Sequence, residues 1–230
     1  MYELPIFPLN TVLFPGMPLR LHIFEERYRV MIKRVLQTSH TFGVNMIKSG
    51  TEAFGPLAEP YETGCTARII SVEPLDDGHI NLTAVGDERF RILRTGGGQP
   101  YMTAFVESAP LQAHHTMEVV RGTHILRDQL SRYLSLLSDV TRPEDEEENE
   151  GLDIDAKLSE MELPEDPMML IYLSAALLQV PATEKQPLLE ADTAALLLEK
   201  VRRLYRRELA VLPDLLTVSE EAAREAAWAN

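Results

Sequence analysis

The chain has 230 residues, which is enough for a sizeable hydrophobic core in one domain or in two small ones. Its single cysteine, Cys65, excludes an intrachain disulfide and a cysteine-rich metal framework. The first residues lack a basic segment followed by an apolar run, and no later apolar run reaches membrane-spanning length. We therefore expect a cytoplasmic protein that has no membrane partner.

The charge of the chain is strongly acidic and unevenly distributed. A formal net charge of −14 disfavours a nucleic-acid partner, because phosphate binding requires clustered Lys and Arg. Residues 139–166 contain 13 acidic and two basic residues, a net of −11, so the rest of the chain carries −3. Because like charges repel and no core-facing period is visible, residues 143–162 are predicted to be a solvated acidic linker.

The first predicted elements are a strand and a helix that follow a Phe-Pro-Gly sequence at residues 14–16. Leu19, Leu21 and Ile23 recur at every second position, which predicts a strand with one buried face. From residue 25 the apolar spacing changes to three and four, which predicts an amphipathic helix over about 25–37. Such a strand followed by a helix is a scaffold element and carries no catalytic signal.

Short strands continue to about residue 110. The alternating segments 66–73 and 79–85, joined through Asp77-Gly78, predict a hairpin, and Gly86-Asp87 predicts another turn. Further strands are predicted at 41–47, 89–94 and 101–107. Their close spacing favours a small barrel over a sandwich. The residues predicted to be buried are Leu21, Ile23, Ile69, Leu82, Phe90 and Phe105.

Helical periodicity begins at about residue 114. A long helix ends before Pro143, and Asp166-Pro167 predicts an N-cap with proline in the first turn of the next helix. Further helices are expected from about 183 and 192, with a loose tail or an added helix after Pro213. The fold class is therefore α+β, with a mixed β pseudo-barrel over residues 1–110 and a C-terminal α-helical bundle over residues 111–230.

The residue types that carry catalysis are present without the spacing that catalysis needs. The triple glycine at 96–98 lacks the lysine of a phosphate loop, and no Cys or Asp completes a metal set with the clustered histidines. Four arginines on one late helix are expected to form a solvated edge rather than a nucleic-acid surface: Arg202, Arg203, Arg206 and Arg207. The sequence predicts no catalytic residue, no metal and no cofactor.

Several stretches of the chain resemble the amino-terminal substrate-binding domain of ATP-dependent Lon proteases. They are "ELPIFPLNTVLFPGMPLRLHIFEERYRVMI", "FGV", "GCTARIISVEPLDDGHINLTAVGDERFRI" with "PYMTAFVE", and "LLEADTAALLLEKVRRLYRREL". The resemblance covers Leu4 to about Leu209 and is weakest in the acidic linker. It implies a PUA-like pseudo-barrel followed by a helical bundle. Stand-alone proteins of this kind are known in many bacteria.

The resemblance also implies a function. Full Lon proteases continue into an ATPase module and a Ser-Lys peptidase module, and the 230 residues contain neither pattern. The expected role is therefore non-catalytic recognition of unfolded or tagged polypeptide, as an adaptor or regulator of proteolysis beside a protease or chaperone. Two alternatives remain open. One is an RNA or small-ligand binder, which the acidic charge disfavours, and the other is a peptidase, for which no Ser-Lys pairing is signalled.

Unfolded polypeptide is recognised by exposed apolar and aromatic surface, in a groove or patch too small to cause aggregation. The candidate binding residues lie at the Phe-Pro-Gly turn and in the glycine-containing loop after residue 50. They are Phe14, Pro15, Met17, Pro18, Phe54 and Tyr61. A competing interpretation is that these side chains only pack the ends of the barrel.

The acidic linker leads to a prediction about proteolysis. A Glu-specific protease should cut first between about Pro143 and Glu162, because a solvated, self-repelling segment is accessible to a protease. The two fragments should stay associated, because the flanking helices are expected to share a core. Mass spectrometry of a digestion time course measures the order of the cuts. Protection of this segment at both low and high salt would contradict the linker prediction.

Overall fold

The structure is a computed structural model that describes residues 1–52, 58–113, 116–140 and 163–228. The predicted acidic linker at 143–162 and the candidate residue Phe54 lie outside these described residues. The strands are β1 (Tyr2–Leu9), β2 (Pro18–Ile23), β3 (Thr41–Ser49), β4 (Glu59–Pro60), β5 (Thr63–Pro74), β6 (Ile80–Gly96) and β7 (Met102–Ser108). The helices are α1 (Glu26–Leu36), α2 (Met117–Val140), α3 (Pro167–Leu177), α4 (Ala182–Leu189) and α5 (Ala194–Trp228).

Five of the strands pair in a closed ring. β1 pairs with β7, β7 with β6, β6 with β5, β5 with β3, and β3 pairs with β1 again. The β1–β3 pair is parallel and the other four pairs are antiparallel, so the ring is mixed, as a mixed barrel requires. β2 adds to the first half of β6, and the short β4 adds to β3. The narrower assignments, a PUA-like barrel and a helical bundle, stay predictions.

Helix α1 belongs to the crossover that the parallel β1–β3 pair needs, because parallel strands cannot be joined by a tight turn. Its buried face consists of Tyr28, Met31, Ile32 and Val35, as the apolar spacing predicts. The Tyr28 ring stacks on Phe7 of β1, with the ring centroids 3.9 Å apart. Phe24, just before the helix, remains 38% exposed and does not join this face.

The Phe-Pro-Gly sequence forms a tight turn that docks on β6. The Met17 amide donates to the Phe14 carbonyl over 3.1 Å, and Gly16 has a φ of 78°, which glycine adopts without strain. The Gly16 amide donates to the Gly86 carbonyl over 2.8 Å, and the Gly86 amide donates to the Met17 carbonyl over 2.9 Å. The turn is thus attached to β6 by two backbone hydrogen bonds, one to the carbonyl and one from the amide of Gly86.

The predicted chain reversal at Gly86-Asp87 is wrong, because β6 runs through these residues without interruption. A Cβ added at Gly86 would overlap the Phe14 carbonyl oxygen. The glycine therefore permits another backbone to approach the strand closely, which is a known use of glycine inside strands. Local composition alone does not distinguish this use from a turn.

A β-bulge follows directly after Gly86. Ala67 pairs with Gly86 and Cys65 pairs with Arg89, so two residues of β6 lie opposite the single residue Thr66. The Thr66 hydroxyl accepts a hydrogen bond from the Glu88 amide over 2.9 Å and donates to the Glu88 carbonyl over 3.2 Å. One side chain thereby satisfies backbone groups that the disrupted strand pairing leaves free.

The helices after residue 116 begin and end largely as expected. The Asp166 side chain caps α3 by accepting a hydrogen bond from the Met169 amide over 2.8 Å, and Pro167 is the first helical residue. α5 continues past Pro213 to Trp228, so the residues after this proline belong to a helix and are not a loose tail.

Tyrosine side chains connect the helices to one another. The rings of Tyr133 on α2 and Tyr205 on α5 meet edge to face, with centroids 5.2 Å apart. The Tyr205 hydroxyl donates to the Ser174 carbonyl of α3 over 2.8 Å, and the Tyr133 hydroxyl accepts from the Gln179 amide over 3.0 Å. The hydroxyl groups of Tyr133 and Tyr205 thus both have hydrogen-bond partners, as is usual for buried tyrosines.

Apolar packing is continuous from the strands to the helices. The main cluster of buried residues includes Phe14, Met31 and Phe42 on one side and Leu130, Ile171 and Val201 on the other. A second, smaller cluster lies between β1, β6 and β7 and is built on Ile6 and Phe90. A division of the chain near residue 110 stays a prediction.

Three of the six side chains predicted to be buried are buried, namely Ile23, Leu82 and Phe90. Leu21, Ile69 and Phe105 are half-buried. The Arg94 guanidinium covers the Phe105 ring at 3.6 Å from its centroid, so a cation–π contact takes the place of burial in the core.

In the described ranges, no helix combines the length and the apolar character that crossing a bilayer requires.

Gly86→Ala should lower the free energy of unfolding by about 1–3 kcal/mol, because the added methyl group overlaps the backbone of the docked turn. Urea unfolding followed by circular dichroism measures the change.

The matched control is Gly97→Ala, because a Cβ at Gly97 meets no atom within 4 Å. This control should change stability by less than about 0.5 kcal/mol. Equal effects of the two substitutions would contradict the docking role of Gly86.

Candidate functional site

A cleft of about 320 Å³ opens where the strands meet α3. Its walls come from the Phe-Pro-Gly turn, the bulge of β6, the chain leaving β7 and the first turns of α3. The main contributors are Pro15, Arg89, Pro110, Leu111, Met168 and Tyr172. The cleft therefore depends on the same docking of the turn onto β6 that shapes the fold.

The cleft is apolar at its base and more accessible at its rim. Leu111 and Tyr172 are buried, Pro15 and Met168 are half-buried, and Pro110 is exposed. An apolar side chain entering the cleft would lose contact with water and gain contact with these groups, which is favourable. The arrangement suits an apolar ligand group of modest size.

Packing of α3 against the Phe-Pro-Gly turn fixes the position of one wall of the cleft. The Met169 side chain lies over Gly16, where an added Cβ would meet it. The rings of Phe14 and Tyr172 pack with their centroids 6.3 Å apart. Because Met168 and Tyr172 lie one turn apart on this helix, the same packing directs both toward the cleft.

Arg89 is a buried charged residue in the wall of the cleft and is only 6% exposed. The bulge sets its place in β6, opposite Cys65, and its carbonyl accepts a hydrogen bond from the Ala109 amide over 2.9 Å. Among the described residues, its Nε and Nη1 atoms have no hydrogen-bond acceptor. Asp87, Glu88 and Ser108 also line the cleft, with exposed side chains.

Two buried ionisable neighbours of Arg89, Tyr172 and Cys65, do not provide a negative charge at neutral pH. Burial raises the pKa of the Tyr172 phenol, and the positive charge of Arg89 opposes that shift. Burial also raises the pKa of the Cys65 thiol to about 12. Both groups are therefore neutral at pH 7, and the positive charge of Arg89 is not balanced by either.

The candidate residues from the sequence are distributed between the core and the surface. Phe14 and Met17 are buried, Pro15 lines the cleft, and Pro18 is exposed at the start of β2. Tyr61 is half-buried and lies in a separate polar groove between β4, Arg91 and the residues that follow α4. Of the candidates within the described residues, the turn therefore brings only Pro15 into this cleft.

Sequence reasoning missed Arg89, Leu111, Met168 and Tyr172. Arg89 lies in a charged segment, and a charged residue in a strand is normally expected on the exposed face. Met168 and Tyr172 belong to a helix that is apolar on nearly every side, so no pattern separates cleft residues from core residues. The four-residue spacing between Met168 and Tyr172 was the one available signal that the two side chains share a helix face.

Comparison with known proteins shows the family to which this chain belongs. The model of the ATP-dependent protease La (LON) substrate-binding domain matches residues 3–207. The chain therefore belongs to the Lon substrate-binding domain family. "Lon protease 2" of Myxococcus xanthus is 28% identical over 211 residues, which cover 91% of this chain and 24% of that protein. The chain thus spans about a quarter of the length of such curated relatives.

Two solved structures have the same fold. The N-terminal domain of a Mycobacterium avium complex Lon protease matches with a TM-score of 0.60 at 17% identity, over 89% of this chain and 98% of that one. A Lon N-terminal domain protein from Xanthomonas campestris matches with a TM-score of 0.56 at 21% identity, over 88% and 98%. The resemblance inferred from the sequence motifs is confirmed.

The buried thiol leads to a prediction about reactivity. Cys65 should not react with a maleimide at pH 8 in the folded protein, because the thiolate is the nucleophile and burial raises the thiol pKa to about 12. In urea the thiol should react at the rate of an ordinary cysteine, whose pKa is about 8.5. Mass spectrometry of the labelled protein measures both rates, and equal rates would contradict the prediction.

Proposed function

We propose that this chain is a non-catalytic module that binds unfolded or tagged polypeptide and acts as an adaptor or regulator of proteolysis. Membership of the Lon substrate-binding domain family supports the binding role. The observation that carries the proposal is the apolar cleft at the turn, which is open to solvent and braced by strands and helix together.

The dimensions of the cleft fit this role. Its volume of about 320 Å³ lies at the lower end of the roughly 300–1,000 Å³ of typical ligand pockets. It can receive one or two side chains of an extended segment and not a folded domain. A site of this size leaves little apolar surface exposed in the free protein, which limits aggregation.

The candidate residues from the sequence have distinct parts in the proposal. Pro15 contacts the bound polypeptide directly, while Phe14 and Met17 hold the turn that presents it. Pro18 extends the exposed surface beyond the turn, and Tyr61 would contact a longer polypeptide away from the cleft. Phe54, which lies outside the described residues, is a further proposed contact. The position of Pro15 in the cleft wall supports its proposed direct contact with the polypeptide.

The proposed setting is the cytoplasm, where a protease or chaperone receives the captured polypeptide. Neither nucleic acid nor a membrane is a proposed partner. Crosslinked affinity capture from the native cell tests this part, and the proposed outcome is enrichment of a protease or chaperone together with unfolded clients. Capture of RNA in place of protein would contradict it.

Binding can be tested with a protein kept unfolded by reduction and carboxymethylation of its cysteines. Fluorescence anisotropy of the labelled protein should rise on addition of this chain, while the folded form of the same protein gives no change. Met168→Lys should weaken binding by at least about tenfold, because it places a charge in the apolar wall at a cost of more than about 1.4 kcal/mol.

The matched control is Met117→Lys, since Met117 also lies in the first turn of a helix but is 65% exposed and outside the cleft wall. This variant should bind as the unchanged protein does. An equal loss in both variants, or no binding by the unchanged protein, would refute the assignment of the cleft.

A further inference from the structure

The positive charge of Arg89 is buried without a matching negative charge. Its side chain is 6% exposed, and no carboxylate of the described residues lies within 4 Å of its guanidinium nitrogens. Other arginines of the chain do have such partners: Arg27 pairs with Glu25, and Arg207 pairs with Glu184 and Glu208. Burial of a cation is costly unless it is paired and hydrogen-bonded.

Two guanidinium nitrogens of Arg89, Nε and Nη1, also lack an acceptor among the described residues. Buried polar atoms in folded proteins are nearly always hydrogen-bonded, so an unpaired buried donor calls for an explanation. Arg89 lines the apolar cleft, so a ligand in the cleft lies beside this side chain. The group that would complete the arrangement is an anionic acceptor, because it supplies both the charge and the lone pairs.

We propose that Arg89 binds a carboxylate of the captured polypeptide, while an apolar side chain of the same polypeptide packs against Leu111 and Met168. This inference rests on the proposed polypeptide-binding function and names the chemistry that the cleft selects. The carboxylate belongs either to the chain terminus or to an Asp or Glu side chain, and both present the same planar pair of oxygens to a guanidinium group.

The surroundings of Arg89 limit the ligand to a single carboxylate in an apolar context. Asp87 and Glu88 have exposed side chains at the rim, where water and salt screen their charge. They repel a polypeptide that carries several acidic residues more than one that carries a single carboxylate at the Arg89 position.

Three short peptides with the same apolar sequence test the proposal. The first ends in a free carboxylate, the second ends in an amide, and the third ends in an amide but carries one internal Glu. Isothermal titration calorimetry against the full chain measures the three dissociation constants. The first or the third peptide should bind about 10- to 100-fold more tightly than the second, as expected for hydrogen bonds between charged groups.

Arg89→Met should remove this preference and leave the weaker binding of the amidated peptide unchanged. Thermal stability should stay the same or rise, because an unpaired buried charge is replaced by an apolar side chain of similar length. Arg89→Lys serves as a second variant if Arg89→Met does not fold, and it should reduce the preference while keeping the charge. Arg68→Met is the matched control, since Arg68 is an exposed arginine of the neighbouring strand β5 that lines neither the cleft nor the groove beside Tyr61.

The outcomes separate the two proposals. A preference for the free carboxylate that is lost in Arg89→Met identifies a chain terminus as the ligand, and a preference for internal Glu identifies a side chain. Equal binding of all three peptides that is sensitive to Met168→Lys overturns the role of Arg89 and keeps the polypeptide-binding cleft. No binding of any peptide overturns both. A preference that persists in Arg89→Met places the carboxylate elsewhere and refutes the inference.

Discussion

The close approach of the Phe-Pro-Gly turn to Gly86 is the constraint on which the rest of the structure depends. Backbone hydrogen bonds join Gly16 and Met17 to Gly86, and the space for them exists because Gly86 has no Cβ. The docked turn buries Phe14 against Tyr172 and presents Gly16 to the Met169 side chain, so it also sets the position of α3. One backbone contact thus orders strands, helix and cleft together.

The bulge next to this contact connects the fold with the proposed chemistry. A regular strand would alternate its side chains strictly, whereas the bulge adds a residue and changes which side chains β6 directs to each face. Arg89 follows the bulge and is buried. A buried arginine is unusual in a strand, because taking its charge out of water costs free energy. Local sequence rules tend to fail at functional positions, which agrees with the role proposed for Arg89.

The sequence was sufficient to predict most of the strand segments, α1, the Asp166 cap and the family, because each depends on local periodicity, local capping chemistry or long motifs. It failed at Gly86, where the same glycine signal fits a turn and a close backbone approach. It also failed for Arg89 and Tyr172, whose burial arises from contacts between distant segments of the chain. A single sequence contains no local record of such contacts, so the cleft required the structure.

The closed ring of strands has a consequence for the proposed binding of unfolded chains. Unfolded polypeptide adds readily to a sheet through the free hydrogen-bonding groups of an edge strand, and such addition can propagate into aggregates. Because β1 pairs with both β7 and β3, the five ring strands have neighbours on both sides. Within the described residues, the ring strands therefore offer no free edge for such addition, whereas β2 and β4, which each pair with one strand only, keep one.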